Sequence, residues 1–249
     1  MAALDVLRGR AARLQPTWQI EPVGERCLIV RLGQQAGPET SRVVHAVAAA
    51  LMSRLPAGVT DVVPAFTSVA VHFQPLAYAR GRGLPSAQLA RRIDRVLAGG
   101  VAPLCEGGRE IEIPACYGGE FGPDLEDVAR QCSLTPDEVI ALHAGRALTL
   151  YAFFFSPGNP FAGPLDARLQ VPRRPTPRTR VEAGSVAIAN GISSIYQTAS
   201  PGGWNVIART PWNLFDVRRM PPTRLQLGDR IRFRPVTPDE YHDLLEHRA

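Results

Sequence analysis

Arginines and glycines recur at the turns of a proline-rich stretch, residues 175–215. The apolar runs between these turns have the length of short strands in a curled antiparallel sheet. Planar guanidinium groups match carboxylates and phosphates in two-point contacts, so rigid turns that carry them predict a pocket for a small anion. Arg178 and Arg209 are the arginines from which we expect anion contact.

Four arginines, at positions 173, 174, 178 and 180, lie together at the proline-rich start of this stretch and just before it. Proline stiffens the chain, so these side chains lose less conformational entropy when a ligand binds. Arginine supplies every Lys or Arg position of this chain, so an arginine need not mark a binding site. Several of the four are expected to face water or a partner. We therefore expect anion contact from Arg178 more than from its neighbours.

The segment Ser200–Trp204 reads Ser-Pro-Gly-Gly-Trp and offers a second way to hold an anion. The backbone N–H groups of Gly202 and Gly203 could cradle an oxyanion, because residues without a side chain allow close approach. The alternative is a hairpin turn in which Trp204 fills the core. The sequence is compatible with both interpretations.

Three side chains outside this stretch could take part in acid–base or nucleophilic chemistry. Glu120 follows two glycines and is either an acid or base beside a flexible backbone or the lead-in to a helix. His143 is either a general base or a histidine at a helix end, where the helix dipole favours its cation. Cys116 could be a nucleophile if His143 approached it, although an isolated cysteine beside a strand is typically buried and inert. Glu120 and His143 are the candidate catalytic residues.

The basic residues exclude several kinds of chemistry. All 28 are arginine, so the chain cannot form a lysine Schiff base or supply the lysine of a phosphate-binding P-loop. The net charge of +5 suits a polyanion. However, the arginines are not interleaved with aromatic residues as in known nucleic-acid modules, so we expect no specific nucleic-acid partner.

The cysteines and histidines predict neither a disulfide framework nor a metal site. The 4 cysteines form no CxxC pair and the 5 histidines lie far apart. The longest strongly apolar run, Ala147–Phe155, is too short to span a bilayer. We expect reduced thiols, a cytoplasmic protein and no membrane partner.

Periodicity divides the chain into an extension and two domains. Residues 1–17 carry arginines and few acids and are predicted to be an N-terminal extension, with a targeting peptide as the alternative. Residues 18–114 show the order β, α, β, β, α, β of a small split βαβ domain, with helices over Glu39–Leu55 and after a capping Ser86, and a last strand at Arg109–Ile113.

Residues 115–249 are predicted to contain two short helices followed by strands and turns. Thr135 and Glu138 have the spacing of a capping box, and Thr237 with Glu240 predicts a closing helix. The predicted fold class is α+β.

A set of motifs in the last two thirds of the chain resembles the allophanate hydrolase subunit 1 family. The motifs are Ile113-Pro-Ala-Cys-Tyr-Gly-Gly-Glu-Phe-Gly-Pro-Asp-Leu-Glu126, His143, Pro157-Gly158, Thr176-Pro-Arg-Thr179, Ala183-Gly-Ser-Val186, Ser200-Pro-Gly-Gly-Trp204, Arg209-Thr-Pro211, Leu214-Phe-Asp216 and Gly228-Asp-Arg230. Together they are specific, although each alone would mean little. The N-terminal third fits the family's small leading domain by pattern only.

The resemblance implies a fold and an activity. The family's C-terminal domain is a cyclophilin-like antiparallel β-barrel, and related segments form subdomains C and D of the carboxyltransferase region of urea carboxylases. The implied activity is that of a subunit, inactive alone, of an ATP-dependent 5-oxoprolinase that opens 5-oxoproline to glutamate. Its implied partners are an allophanate hydrolase subunit 2 type protein and a third subunit. ATP is the implied cofactor, which a partner could help to bind.

The resemblance also leaves two alternatives open. One is a carboxyltransferase-type component that acts on urea or a related amide with a biotin-bearing partner. The other is a non-catalytic binding protein like the family's sporulation kinase inhibitor. For a small anionic substrate, the binding residues implied by the matched motifs are Thr176, Arg178, Gly202, Gly203 and Arg209.

Two segments depart from the family's pattern. The family usually has Gly-Phe-Leu-Pro-Gly-Phe-Pro-Tyr-Leu-Gly-Gly where this chain has Phe154–Pro164, and commonly Gly-Gly-Gln-Thr-Gly where it has Asn190–Ser194. A glycine that permits close backbone approach cannot become Phe154 without moving whatever packs there. We therefore expect the surroundings of these segments to differ from those in other members.

Overall fold

The computed structural model describes residues 13–103 and 108–247, and the chain forms two compact units that divide at residues 106 and 107. Cys105, which is predicted to be a reduced thiol, lies outside the described residues. So do residues 1–12, which make up most of the predicted extension. Within the extension, Leu14 forms a β-bridge with Val101. No helix in the described parts of the chain is long and apolar enough to cross a membrane.

The first unit is a four-stranded antiparallel sheet covered by two helices. In spatial order its strands are β1 (Gln19–Val23), β2 (Cys27–Arg31), β4 (Ser68–Phe73) and β3 (Val59–Pro64), and its helices are α1 (Pro38–Ser53) and α2 (Pro85–Leu97), with a 3-10 turn at Pro75–Tyr78. Leu89, Ile93 and Leu97 recur every four residues along α2 and are fully buried. This spacing places them on one helix face, which packs into the core of the unit.

The order of elements in the first unit differs from the predicted one. The unit begins with a β-hairpin, whose first strand is mostly exposed and so shows no alternation in sequence. The predicted last strand, Arg109–Ile113, instead belongs to the second unit. The alternation of charged and apolar residues predicts a strand with one buried face, but it does not show in which of the two units that face is buried. Helix α2 is preceded by Leu84 without a side-chain cap, so the predicted cap at Ser86 is wrong.

The second unit is built around a closed seven-stranded barrel, which confirms the predicted α+β class. Its strands are, in spatial order, β10 (Ile192–Ile195), β7 (Pro160–Gly163), β6 (Leu148–Phe153), β13 (Arg230–Pro235), β5 (Glu110–Tyr117), β12 (Asn205–Arg209) and β9 (Ser185–Ala189). All neighbours are antiparallel except β13 and β5. A separate two-stranded sheet pairs β8 (Arg178–Val181) with β11 (Ser200–Gly202).

Three helices complete the second unit: α3 (Leu125–Cys132), α4 (Pro136–Ala144) and α5 (Pro238–Glu246). The predicted capping box of α4 is confirmed, because Thr135 Oγ1 accepts from the N–H of Glu138 and the Glu138 carboxylate accepts from the N–H of Thr135. Thr237 likewise accepts from the N–H of Glu240 at the start of α5.

Alternation along β10 separates the inside of the barrel from its outer face. Ile195 belongs to the barrel core, so Ser193, two residues away, points to the same side. Ser194 points to the opposite side. On the neighbouring strand β7, Ala162 lies in the core, whereas Phe161 pairs with Ser194 and shares its outer face.

Candidate functional site

A cavity of about 400 Å³ lies on this outer face, beside the two-stranded sheet. We call it the Trp204 cavity; its walls include Asn159, Phe161, Arg173, Ser194, Gly202 and Trp204. Strands β7 and β10 supply Phe161 and Ser194, while β11 and the residue after it supply the two glycines. The predicted Gly202 and Gly203 are thus both in the cavity wall.

Aromatic rings form the apolar part of the wall. Phe161 and Trp204 make an edge-to-face contact, with their ring centroids 5.3 Å apart. The ring centroids of Phe155 and Phe161 are 5.8 Å apart. Phe155 is 86% exposed, and its backbone φ is 66°. These rings are inclined to one another and provide apolar faces and edges against which a small ring could pack.

Asn159 supplies an unusual polar group to the cavity. The residue is only 5% exposed. Its side-chain NH₂ donates to the carbonyl of Phe154 over 3.1 Å, which fixes the orientation of the amide. Its Oδ1 is buried and has no hydrogen-bond partner among the described residues. A buried acceptor without a partner is destabilising, so this oxygen is suited to an N–H or O–H group of a ligand.

Arg173 supplies the cavity's positive charge. Its guanidinium carbon lies 5.8 Å from the ring centroid of Trp204, within the range of a cation–π contact. The side chain is exposed. It can therefore reach an anion that enters the cavity while it stays solvated on its other side.

Gly202 allows the cavity wall to approach Tyr196 closely. A Cβ at position 202 would collide with the hydroxyl of Tyr196, so only glycine fits there. The Tyr196 oxygen interacts with the backbone N–H of Trp204, and burial raises the pKa of the phenol. The ring therefore stays neutral and fixes the backbone of the Gly-Gly-Trp turn.

Arg178 does not line the Trp204 cavity, and the ligand contact expected of it stays a prediction. Its guanidinium donates to both carboxylate oxygens of Asp124 over 2.7 Å. Arg174 donates to the same carboxylate over 2.6 Å, and the N–H of Val206 does so over 2.7 Å. Asp124 is only 1% exposed. The expected two-point contact with a carboxylate is therefore made inside the protein, where it anchors the segment that carries Arg173.

The structure places Thr176 and Arg209 away from the Trp204 cavity. Thr176 is exposed on the proline-rich segment. Arg209 lies at the end of β12, where its Nε is buried without a hydrogen-bond partner among the described residues. The anion contact expected of these two residues stays a prediction, and it would concern a surface other than the cavity.

His143 is buried completely and lies outside the cavity. Its Nδ1 is 2.7 Å from the hydroxyl of Tyr117, its Nε2 is 2.9 Å from Ser193 Oγ, and its ring stacks on Phe233. Burial lowers the pKa of His143 to about 3. Desolvation of the imidazolium therefore outweighs its attraction to the helix end, and the imidazole is neutral. Through its contacts with Tyr117, Ser193 and Phe233, the ring connects α4 to the three barrel strands β5, β10 and β13.

Neither of the other two candidates for chemistry lines the cavity. Glu120 is exposed in the turn before α3. Cys116 is buried, and burial raises the pKa of its thiol, which disfavours the nucleophilic thiolate. His143 hydrogen-bonds Tyr117 and Ser193 instead of Cys116. In residues 13–103 and 108–247, no group of three or more His, Cys, Asp or Glu side chains could hold a metal ion.

We expect His143 to remain neutral from about pH 8 to about pH 5, because its folded pKa of about 3 lies below the ordinary value near 6.5. Unfolded His143 takes up a proton in this range, so its contribution to stability is present above pH ~6.5 and falls as the pH drops toward 3. The measurement is a ¹³C NMR titration of the ring, assigned with His143→Gln. The same titration in urea is the control, and a folded midpoint above pH ~5.5 would contradict the burial argument.

Sequence reasoning missed Asn159 and did not favour Arg173. Asn159 lies in one of the two segments that depart from the family's pattern, between Gly158 and Pro160. Such a departure is a signal that the segment lines a surface with its own specificity. Arg173 is the arginine that precedes the two anchored by Asp124, and sequence spacing does not show which of them is left to face a ligand.

Comparison with known proteins identifies the family. Residues 18–225 match the model of the carboxyltransferase domain, subdomain C and D. The chain is 36% identical over 229 residues to a 5-oxoprolinase subunit from Bacillus subtilis, covering 90% of this chain and 95% of that protein. It is also similar to the crystal structure of TTHA0988, with 34% identity and a TM-score of 0.73, over 85% of this chain and 40% of that one.

The fold also occurs in a larger enzyme. The Kluyveromyces lactis urea carboxylase has a TM-score of 0.73 at 18% identity, over 96% of this chain and 23% of that one. At this identity the likeness concerns the fold alone. The family match spans most of the chain and agrees with the relative of nearly equal length, so this protein belongs to the carboxyltransferase domain family, subdomains C and D.

Proposed function

We propose that this chain is the substrate-binding subunit of an ATP-dependent 5-oxoprolinase complex and that the Trp204 cavity binds 5-oxoproline. The relative from Bacillus subtilis, named as a 5-oxoprolinase subunit, supports the assignment because the similarity extends over 95% of its length. The observation that carries the assignment of the site is that Asn159 lines the cavity and that its buried Oδ1 has no hydrogen-bond partner within residues 13–103 and 108–247.

The groups in the cavity suit the groups of this substrate. 5-Oxoproline is a five-membered lactam with one carboxylate. Its ring N–H can donate to Asn159 Oδ1, its carboxylate can accept from the guanidinium of Arg173, and its ring can pack on Phe161 and Trp204. The hydroxyl of Ser194 also lines the cavity and can donate to the lactam oxygen, which polarises the amide.

The same residues favour a role as one part of a larger assembly. The described lining residues of the cavity include no carboxylate, histidine or cysteine. The hydroxyls present there therefore have no nearby base to activate them as nucleophiles. We assign the chain the binding and orientation of the lactam. ATP, which supplies the free energy for ring opening, would be used together with an allophanate hydrolase subunit 2 type protein and a third subunit in the cytoplasm.

Reconstitution tests the proposed function. The chain alone is expected to bind 5-oxoproline without hydrolysing it, because the cavity lacks a base. When it is mixed with the two partner subunits, ATP hydrolysis should depend on 5-oxoproline and glutamate should accumulate. Turnover by the chain alone, or equal turnover by the partner subunits without it, would contradict the proposal.

The two other functions considered from sequence are not favoured. The likeness to the urea carboxylase, at 18% identity, carries the fold but no argument about substrate. The whole-length relative is named as a 5-oxoprolinase subunit, which does not favour a purely inhibitory binding protein.

A further inference from the structure

The segment from the end of β4 to the end of α2 gives the first unit a basic and partly apolar surface. Residues 74–100 contain arginines at positions 80, 82, 91, 92 and 95 but a single acid, Asp94, which accepts a hydrogen bond from the indole of Trp18 over 2.8 Å. Leu76 is 86% exposed and Leu84 is 71% exposed. We call this region the α2 surface; its residues are Leu76, Arg80, Arg82, Leu84, Arg91 and Arg95. The matched motifs and the Trp204 cavity leave it without a role.

Internal contacts hold the loop of the α2 surface against the helix. The side-chain NH₂ of Gln88, near the start of α2, donates to the carbonyls of Tyr78 and Gly83 over 3.0 Å each. The N–H of Gly81 also donates to the carbonyl of Tyr78, and the Arg92 guanidinium carbon lies 5.0 Å from the centroid of the Tyr78 ring. The loop is therefore ordered before a partner binds, which lowers the entropic cost of association.

The arginines of the α2 surface have few carboxylates near them. Arg80, Arg82 and Arg91 are exposed, and none of them makes a salt bridge within residues 13–103 and 108–247. Arg91 and Arg95 are four residues apart on the same face of α2, and the Nε of Arg95 donates to the carbonyl of Arg91 over 3.2 Å. Like charges at this spacing destabilise a helix. Carboxylates supplied by another molecule would remove this repulsion.

Leu84 occupies a helix position for which leucine is a poor choice. It is the N-cap of α2, and its side chain makes no capping hydrogen bond. Ser, Thr, Asp and Asn are preferred there, because their side-chain oxygen accepts from an N–H group of the first turn. An exposed leucine at this position stabilises neither the helix nor the core. Residues that break a local rule in this way are expected at functional sites, and an apolar contact within a polar rim is typical of protein interfaces.

We propose that the α2 surface docks a protein partner that presents carboxylates around an apolar patch, and that this partner is one of the two other subunits of the complex. Charge complementarity argues for such a partner, because the arginines can pair with its carboxylates while Leu76 and Leu84 enter its apolar patch. The identity of the partner as a subunit rests on the proposed function. The first unit then serves assembly, whereas the second unit binds the lactam.

Biolayer interferometry with the full chain immobilised tests this proposal. The probes are the purified allophanate hydrolase subunit 2 type protein and the purified third subunit. One of them should bind with an affinity that falls as the salt concentration rises. Arg82→Gln with Arg91→Gln should weaken this binding by at least ~10-fold, because two charge-assisted contacts are lost. The matched control is Arg26→Gln with Arg146→Gln, two exposed arginines outside the α2 surface, which should leave the affinity within about 2-fold.

Leu84→Ser separates a docking role from a structural one. Serine caps a helix better than leucine, so amide hydrogen exchange at the start of α2 should become slower. The affinity for the subunit should nevertheless fall by about 10-fold, because the leucine no longer enters the apolar patch. Val23→Ser, at a half-exposed position on β1, is the control and should leave the affinity within about 2-fold. A loss of affinity in Leu84→Ser together with faster exchange would contradict the docking role.

The outcomes distinguish failure of this proposal from failure of the proposed function. If a subunit binds the parent protein and the α2 variants equally well, the docking surface is wrong and the proposed function stands. If neither subunit binds the parent protein, both are wrong. Binding of the parent protein to vesicles of anionic phospholipid that is lost in the α2 variants, with subunit binding unchanged, would show that the surface contacts a membrane and would overturn the proposal.

Discussion

Replacement of Asp124 with alanine is expected to lower the free energy of unfolding of the second unit by about 3–5 kcal/mol, the range for removing one partner of a buried ion pair. Asp124 is buried and accepts hydrogen bonds from Arg174, Arg178 and the N–H of Val206. The substitution leaves these donors without their common acceptor. Urea unfolding measures the change, with Trp18 replaced by phenylalanine in every protein compared so that fluorescence reports on the second unit.

The control for this prediction is Glu182→Ala, which breaks an exposed pair with Arg180. Pairs of this kind contribute little, so its unfolding curve should nearly overlay that of the parent protein. Asp124→Asn, which keeps the shape and loses the charge, should fall between the two. An unfolding midpoint for Asp124→Ala equal to that of the control would show that the carboxylate does not anchor the segment that carries Arg173.

Replacement of Arg173 with alanine is expected to weaken the binding of 5-oxoproline by about 10- to 100-fold, the range for loss of one charge-assisted hydrogen bond. The side chain is exposed, so its removal should leave the fold unchanged. Isothermal titration gives the affinity, and the loss should shrink at high salt because part of it is electrostatic.

Arg180→Ala is the matched control for this second prediction. Arg180 lies on the neighbouring strand β8, is exposed and is paired with Glu182. It does not line the Trp204 cavity. An equal loss of affinity in both variants would point to general attraction of an anion by a basic protein. No loss in Arg173→Ala would remove this residue from the site.

Local signals predicted some elements of the second unit. The capping box of Thr135 and Glu138 depends on residues three apart, and such contacts form in any fold that contains the helix. Glycines and prolines indicated short strands in this part of the chain, although β7, β8 and β11 were not predicted. Strand Arg109–Ile113 was predicted as a strand but in the wrong unit, because its partner β13 follows it by more than a hundred residues.

The site could be predicted only in part, because its chemistry depends on contacts between distant segments. The glycines at 202 and 203 were singled out because a paired glycine turn is visible locally, and both line the cavity, while the oxyanion contact expected of them stays a prediction. Arg178 was expected to bind a ligand, but Asp124, more than fifty residues earlier, occupies its guanidinium. The environment of Asn159 could not be predicted either, because the lack of a partner for its Oδ1 in the described part of the chain is a property of the folded cavity.

An NMR titration of the ¹⁵N-labelled chain with 5-oxoproline addresses the Trp204 cavity most directly. Saturable shifts should appear at the side-chain amide of Asn159 and at the backbone amides of Gly202, Gly203 and Trp204, and they should be absent in Asn159→Leu. Shifts confined to surfaces away from Asn159, or no saturable shift at any amide, would contradict the binding of 5-oxoproline in this cavity.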